Sequence, residues 1–471
     1  MEQLTTLEAS FLEAEDADRH LSLAIGTLAI IDGPIPDQQT LIATLSERIR
    51  DLPRCTQLVH KHTFELTAPE WEDDANFDIT HHVRWAALPH PGDDAALFRT
   101  IADLMERRLD RDHPLWEFWV IEGLPDGRWA ALMKIHHCIA DGITAVRMLA
   151  SISDAGAGAT FASDIRPARE LPSSIVIGPG LSRNPLTWAS GLWRTSVATT
   201  SEAAHTVMGA AEFVTGLLDP TTGSSPHGSL ANMRRYSVAR VSLKEVETVC
   251  HAFGVTLNDV ALAAITDSFR TVLLRRGEKP RRNSLRTLIP VSVRPPDAMD
   301  RIDIRVSAML PSLPVEQQDP VKRLKLVHAR LHRPKNSGER QAANTLVKLT
   351  NRLPFVLNAW TTRLLTRLPQ RSVVTLATNV PGPRHRLQLL GRPVEALLPI
   401  PPIALQLRSV ISMLTYVDEL VFGITGDHDA TPDVDELARG IELGMARLVT
   451  RALSRKPTST KESRRSIRLA N

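Results

Sequence analysis

The sequence predicts an α/β fold of two layered halves with a cleft between them, and three observations carry that expectation. Residues 128–135 alternate at period two, which puts Trp129, Ala131, Met133 and Ile135 on one strand face. Just downstream, Ile143, Val146, Leu149 and Ile152 recur at helical spacing, so a strand feeds a helix through a short connector. Strand and helix patterns of this kind appear in similar number in both parts of the chain, and elements that each bury one face pack as layers. Between residues 155 and 230 the composition shifts towards Gly, Ser, Thr, Ala and Pro, as expected of a crossover between two units. The expected division is therefore a first domain at 1–154, a linker at 155–230, a second domain at 231–453 and a disordered basic tail at 454–471.

In chain order, residues 7–12 read as a short helix or turn, and 23–31 as a strand stopped by Asp32-Gly33-Pro34. Residues 38–50 carry Leu41, Ile42, Leu45 and Ile49 at helical spacing, and 98–108 do the same with Ile101, Leu104 and Met105. A turn at 109–115 feeds a strand to Ile121, which the Leu124-Pro125-Asp126-Gly127 turn folds back onto 128–135. Within the linker, Leu186, Trp188, Leu192, Trp193, Val207, Phe213, Val214, Leu217 and Leu218 suit amphipathic helices. Such helices serve equally to pack across the junction or to enter a lipid interface. The second half offers strands at 236–241, 285–293, 306–310, 372–377, 409–416 and 419–426. Its helices are expected at 256–275, 320–332, 340–353, 354–367 and 433–453, with a turn at 378–383.

At 471 residues, 43% hydrophobic and 23% charged, the chain can bury a full core. The formal net charge is +3, but the tail sets six basic residues against Glu462, so the remainder is slightly acidic and not a nucleic-acid surface. Cys55, Cys138 and Cys250 have no paired spacing, which argues against a disulfide framework and a cysteine-based zinc site. The first residues lack a signal-peptide pattern, and no apolar run is long enough to span a bilayer. The expected setting is a reducing cytoplasm.

The chemistry-bearing stretch is Lys134-Ile135-His136-His137-Cys138-Ile139-Ala140-Asp141-Gly142, on the connector between strand and helix. A histidine with an ordinary pKa of about 6.5 can take and return a proton at neutral pH. A plainer reading also stands: Asp141 suits a helix N-cap, and histidines at a strand end can be satisfied in a core. The second pair, His81-His82, has no aspartate four residues on and no glycine, and reads as structural. The full His-His-x-x-x-Asp-Gly pattern resembles the active-site motif of the CoA-dependent acyltransferase superfamily, which includes chloramphenicol acetyltransferase, carnitine acyltransferases and peptide-synthetase condensation domains. That resemblance implies two chloramphenicol-acetyltransferase-like domains joined by a helical crossover, with the active site in the cleft. It implies His137 as general base, His136 as its support, and Asp141 holding the loop through an arginine, for which Arg294 is the candidate. Gly142 is expected to permit the tight turn.

Four further blocks, Pro114-Leu115-Trp116, Asn258-Asp259, Pro290-Val291-Ser292-Val293-Arg294 and Asn379-Val380-Pro381-Gly382-Pro383, follow the 7–12 opening in one order. Together they resemble the bacterial wax ester synthase/diacylglycerol acyltransferase family over residues 4–453. The resemblance implies transfer of a fatty acyl group from acyl-CoA, a co-substrate, to diacylglycerol or a long-chain alcohol. No permanently held cofactor or metal is implied, and the setting is a peripheral one on the inner membrane or a lipid droplet. Two alternatives stay open: another donor or acceptor, and a non-catalytic lipid-binding member. Asn258 serves either the site or a helix cap, and Asn379 either an oxyanion contact or a turn. The basic residues Arg275, Arg276, Lys279, Arg281 and Arg282 read as a solvated loop. Asp303-Ile304-Arg305 stands where the family tends to carry Gly-Asn, a departure that bears on loop geometry.

Overall fold

The computed structural model describes residues 2–61, 67–154, 231, 233–292, 306–332, 375–403 and 407–455. Strand Trp129–His136 is buried at every position. It lies between antiparallel neighbours Ala24–Ile31 and Trp116–Glu122, as the hairpin turn predicts for the second of them. Burial on both faces explains why apolar residues fill it almost continuously. Besides His136 at its end, the exception is Lys134, whose Nζ donates to the carbonyls of Leu104 at 2.8 Å and Arg107 at 2.6 Å. The buried ammonium thereby satisfies backbone acceptors at the end of helix Asp94–Glu106, although burial pushes its pKa down.

The first six-stranded sheet runs in the order Gln388–Leu389, Arg392–Ile400, Ala24–Ile31, Trp129–His136, Trp116–Glu122, Val83–Ala87. Its composition departs from the sequence expectation at one point. Residues 388–400, placed by chain position in the second domain, belong to the first sheet, with Val394 opposite Ile31 and Ile400 opposite Gly26. Asp154 latches this hairpin by accepting from the amides of Leu390 at 3.0 Å and Gly391 at 2.7 Å. The stretch is apolar on a short period but contains Pro393 and Pro399, which hid it as a strand.

The second six-stranded sheet runs in the order Val306–Met309, Thr287–Ser292, Thr375–Val380, Ser409–Tyr416, Glu419–Asp427, Arg234–Ser242. Helices Leu257–Arg275 and Val434–Leu453 join it around the second apolar core. Asn379 sits within strand Thr375–Val380 and not in the expected turn, because pairing with Ser409–Tyr416 continues to Val380 opposite Leu414. The sequence reading also missed strands Gln57–His60, Glu70–Asp73 and Val83–Ala87 and helix Leu243–Phe253. The two sheets touch at Gly423, where a Cβ would stand 1.7 Å from the Pro399 carbonyl oxygen. Tyr236 of the second sheet donates its hydroxyl proton to that same oxygen at 3.0 Å.

Among the described residues no single helix is long and apolar enough to cross a membrane. The linker helices around Trp188 and Phe213, Arg294, residues 303–305, the helices expected at 340–353 and 354–367, and most of the basic tail lie outside the described residues.

Candidate active site

His136 and His137 extend the central strand by one more backbone step on each side. The His136 amide donates to Leu115 O at 2.9 Å and the His137 amide to Leu23 O at 3.0 Å. Strand alternation then sends the two rings in opposite directions. His136 points inward, where its Nδ1 accepts the Cys138 amide at 3.1 Å. Its proton therefore sits on Nε2, which faces Glu15 Oε1 at 3.5 Å, both side chains being 1% exposed.

Glu15 comes from helix Thr6–Ala17 and anchors this arrangement. It accepts the Leu23 amide and an Arg111 guanidinium N–H, each at 2.9 Å, while Arg111 also pairs with Asp16 at 2.7 Å. Burial pushes the Glu15 carboxyl pKa up, but His136, the Leu23 amide and Arg111 outweigh it and hold the group at about 2. It is ionised at neutral pH, and it locks the tautomer of the histidine next to the candidate base. Sequence reasoning missed Glu15 and Arg111. Four acids, Glu8, Glu13, Glu15 and Asp16, crowd one helix, and nothing in their spacing singles out the one that faces His136. Glu15→Gln should keep the shape but remove the charge, costing about 1–3 kcal/mol of stability near neutral pH by leaving buried groups poorly paired. The folded-state pKa is depressed, so this stabilisation is present above the unfolded value near 4.5 and disappears as pH falls through about 2. Urea titrations of both proteins at pH 7 and pH 3 measure it: the difference shrinks at the lower pH.

His137 points the other way and is half-buried. Its ring stacks on Phe11 with centroids 4.4 Å apart and planes 16° from parallel. Nδ1 is buried and makes no hydrogen bond with the described residues. Burial depresses the imidazole pKa below 6.5, against the opposing pull of the local backbone and the Asp141 carboxylate. At neutral pH this ring is an unprotonated base.

The loop ends where Asp141 caps helix Gly142–Ser151, one carboxylate oxygen accepting the Thr144 amide at 2.9 Å and the Thr144 hydroxyl at 2.8 Å. Asp141 thus fixes the connector from its helix end and holds the N-cap position that the plainer reading gave it. Gly142 also makes a close approach that its place before a helix does not reveal. Its φ is not in the left-handed region, but a Cβ there would stand 2.9 Å from Val380 Cγ2. A side chain at this position would have to displace that methyl or shift the histidine loop.

Val380 follows Asn379, so the loop and the second candidate group share one junction. Asn379 Nδ2 donates to Asn258 Oδ1 at 2.7 Å, bringing together two residues the sequence offered separately. Asn379 Oδ1 is buried and accepts no hydrogen bond from the described residues. Asn258 stands at the second position of helix Leu257–Arg275, where Thr256 is the N-cap and Asp259 completes its capping box, so the cap does not use Asn258.

Three other stretches singled out in the sequence are held by packing and ion pairs. Trp116 is buried, stacks on His82 at 4.4 Å and donates its indole N–H to Cys55 O at 2.8 Å. His82 is buried with Nδ1 2.9 Å from Trp116 O, in keeping with the structural reading of that pair. In the basic loop, Arg275 pairs with Glu436 at 2.8 Å and Arg276 with Asp433.

A family profile described as the wax ester synthase/diacylglycerol acyltransferase catalytic domain matches residues 4–261, and the family's C-terminal domain matches 305–448. A Mycobacterium tuberculosis protein named as a probable diacylglycerol O-acyltransferase, tgs1, is 52% identical over 97% of this chain and 98% of its own length. The O-acyltransferase WSD of Acinetobacter baylyi is 26% identical over 94% of this chain and 96% of its own. Among solved structures, the wax ester synthase/diacylglycerol acyltransferase of Marinobacter aquaeolei VT8 superposes with a TM-score of 0.63 at 23% identity, covering 96% of this chain and 99% of that one. The starter condensation domain of rhizomide synthetase, in complex with C8-CoA and Leu-SNAC, superposes at 0.57 with 11% identity, covering 95% and 94%. The two-part α/β architecture expected from the sequence is the fold these structures share.

Proposed function

Because the chain belongs to the wax ester synthase/diacylglycerol acyltransferase family, we propose that His137 is the general base of an acyl transfer from acyl-CoA to the hydroxyl of diacylglycerol or a long-chain alcohol. The chain is an O-acyltransferase. An alcohol is a poor nucleophile at neutral pH, and the reaction needs a group that removes its proton as the new bond forms. One observation supports His137 as that group. It is a neutral, half-buried imidazole held at the end of a rigid strand, against the junction of the two sheets. With Nδ1 buried, Nε2 is the nitrogen left to meet a substrate.

In the proposed reaction, His137 Nε2 takes the hydroxyl proton as the alcohol oxygen attacks the thioester carbon. Collapse of the tetrahedral intermediate breaks the C–S bond, and the imidazolium returns the proton to the departing thiolate. The ester and free CoA leave, and the ring is neutral again. No covalent acyl-enzyme is required. The ionised Glu15 and the His136 ring it orients keep the loop backbone in place beneath the base. Both acceptors are lipids, so we place the working enzyme at a membrane or droplet surface.

The test is to incubate the purified chain with radiolabelled palmitoyl-CoA and, separately, with dioleoylglycerol and hexadecanol, then resolve products by thin-layer chromatography. Labelled triacylglycerol is expected, and label in neither triacylglycerol nor wax ester would overturn the reading. The base should also show in the pH profile. The acid limb of kcat/KM should fall with an apparent pKa below 6.5, because protonation of a ring whose pKa burial depresses removes the base. A limb centred above 6.5 would assign the titration to another group.

A further inference from the structure

We propose that Asp259, His328 and His332 form a binding site for a divalent transition-metal cation, zinc by the chemistry of its donors, between helices Leu257–Arg275 and Pro320–Leu331. One ligand atom from each residue falls within 4.8 Å of the others. His328 and His332 are four residues apart, so both rings leave the same side of the helix end, with centroids 4.3 Å apart. Imidazole and carboxylate donors about 2.0–2.2 Å from a single ion suit zinc, and three protein ligands leave a position for water.

The carboxylate supplies the second observation. Asp259 has no exposed surface. Its Oδ2 is fully engaged, accepting the Thr256 amide, the Thr256 hydroxyl and His328 Nδ1, each at 2.8 Å. Its Oδ1 is buried, accepts no hydrogen bond from the described residues, and faces His332 Nδ1 at 3.8 Å. A buried carboxylate oxygen without a donor is costly, and a cation is the partner that removes that cost. The helix cap accounts for Oδ2 alone.

Metal binding here gives up two hydrogen bonds, His328 Nδ1 to Asp259 Oδ2 and His332 Nδ1 to the His328 carbonyl at 2.9 Å, for three coordination bonds. Each ring binds as neutral imidazole through the nitrogen it turns to the ion, with its proton on the other. The position gives the site a consequence. Asp259 closes the capping box from which Asn258 projects, and Asn258 accepts from Asn379 beside the histidine loop. A cation would tie the C-terminal end of the helix capped by His332 to the start of the helix that carries Asn258. Cysteine spacing argued only against a cysteine-based zinc site, and the ligands proposed here come from helices far apart in sequence.

The test uses the full chain, stripped with chelator and dialysed against micromolar zinc chloride, with bound metal measured by mass spectrometry. The controls are His332→Gln, at a side chain 43% exposed, and the double variant His328→Gln/His332→Gln. Wild type should hold about one more zinc per chain than either variant, the remaining surface histidines contributing equally to all three. Zinc should raise the Tm of wild type alone, and cobalt-loaded wild type should show the visible absorption of a low-symmetry site that the variants lack. Equal zinc content in wild type and His332→Gln, with equal Tm responses, would overturn the proposal and leave an Asp-His hydrogen bond between two helices.

Discussion

Replacing His137 by alanine is expected to lower kcat by about 10²–10⁴-fold, the usual worth of a positioned general base. The same change removes the stacked contact with Phe11 at 4.4 Å, worth about 0.5–1.5 kcal/mol, so the fold should persist with a slightly lower Tm. Acyl transfer with saturating lipid acceptor measures the first effect, and a thermal melt the second. His136→Ala should show the opposite balance. Its ring is buried against ionised Glu15, so losing it disturbs the core first and catalysis through displacement of the loop. Unchanged turnover in His137→Ala would remove the proposed base, whatever the second variant did.

Gly423→Ala should produce the largest loss of stability. The added methyl would stand 1.7 Å from the Pro399 carbonyl oxygen and 3.2 Å from the Tyr236 hydroxyl. The first of these is backbone in the neighbouring sheet, so no side-chain rotation relieves the clash. Overpacking in a tight core costs about 1–3 kcal/mol and sometimes more, and this position belongs at or above the upper end. Relief requires the sheets to separate, which also breaks the 3.0 Å hydrogen bond from Tyr236 to Pro399. Urea unfolding of variant and wild type measures the difference, and a change under about 1 kcal/mol would mean the two sheets can slide.

Much of the architecture was legible because burial imposes its own period on the chain. The strands Ala24–Ile31 and Trp129–His136 and the helices Gln38–Ile49 and Val434–Leu453 lie within a residue or two of where apolar spacing put them. The His-His-x-x-x-Asp-Gly pattern likewise placed the loop, the cap and the direction of the helix. What could not be read were relations between distant residues. Glu15 matters because it reaches His136, and neither residue's local spacing records that contact. Gly142 matters because Val380 is there, and from sequence alone a glycine before a helix suggests only a turn. Asn379 read as part of a turn because Pro381 follows so closely, yet strand pairing runs on to the residue before that proline. Strand Arg392–Ile400 was hidden by its two prolines and by its place in the chain.

That strand ties the assembly of one half to the synthesis of the other. Ala24–Ile31 emerges early from the ribosome, but its partner on one side is Arg392–Ile400. Until residue 400 has been made, the nascent first sheet keeps an open edge of unpaired amides and carbonyls, the surface that invites wrong partners. Expressing residues 1–154 alone would leave that edge bare, and the fragment is expected to be less soluble than the full chain.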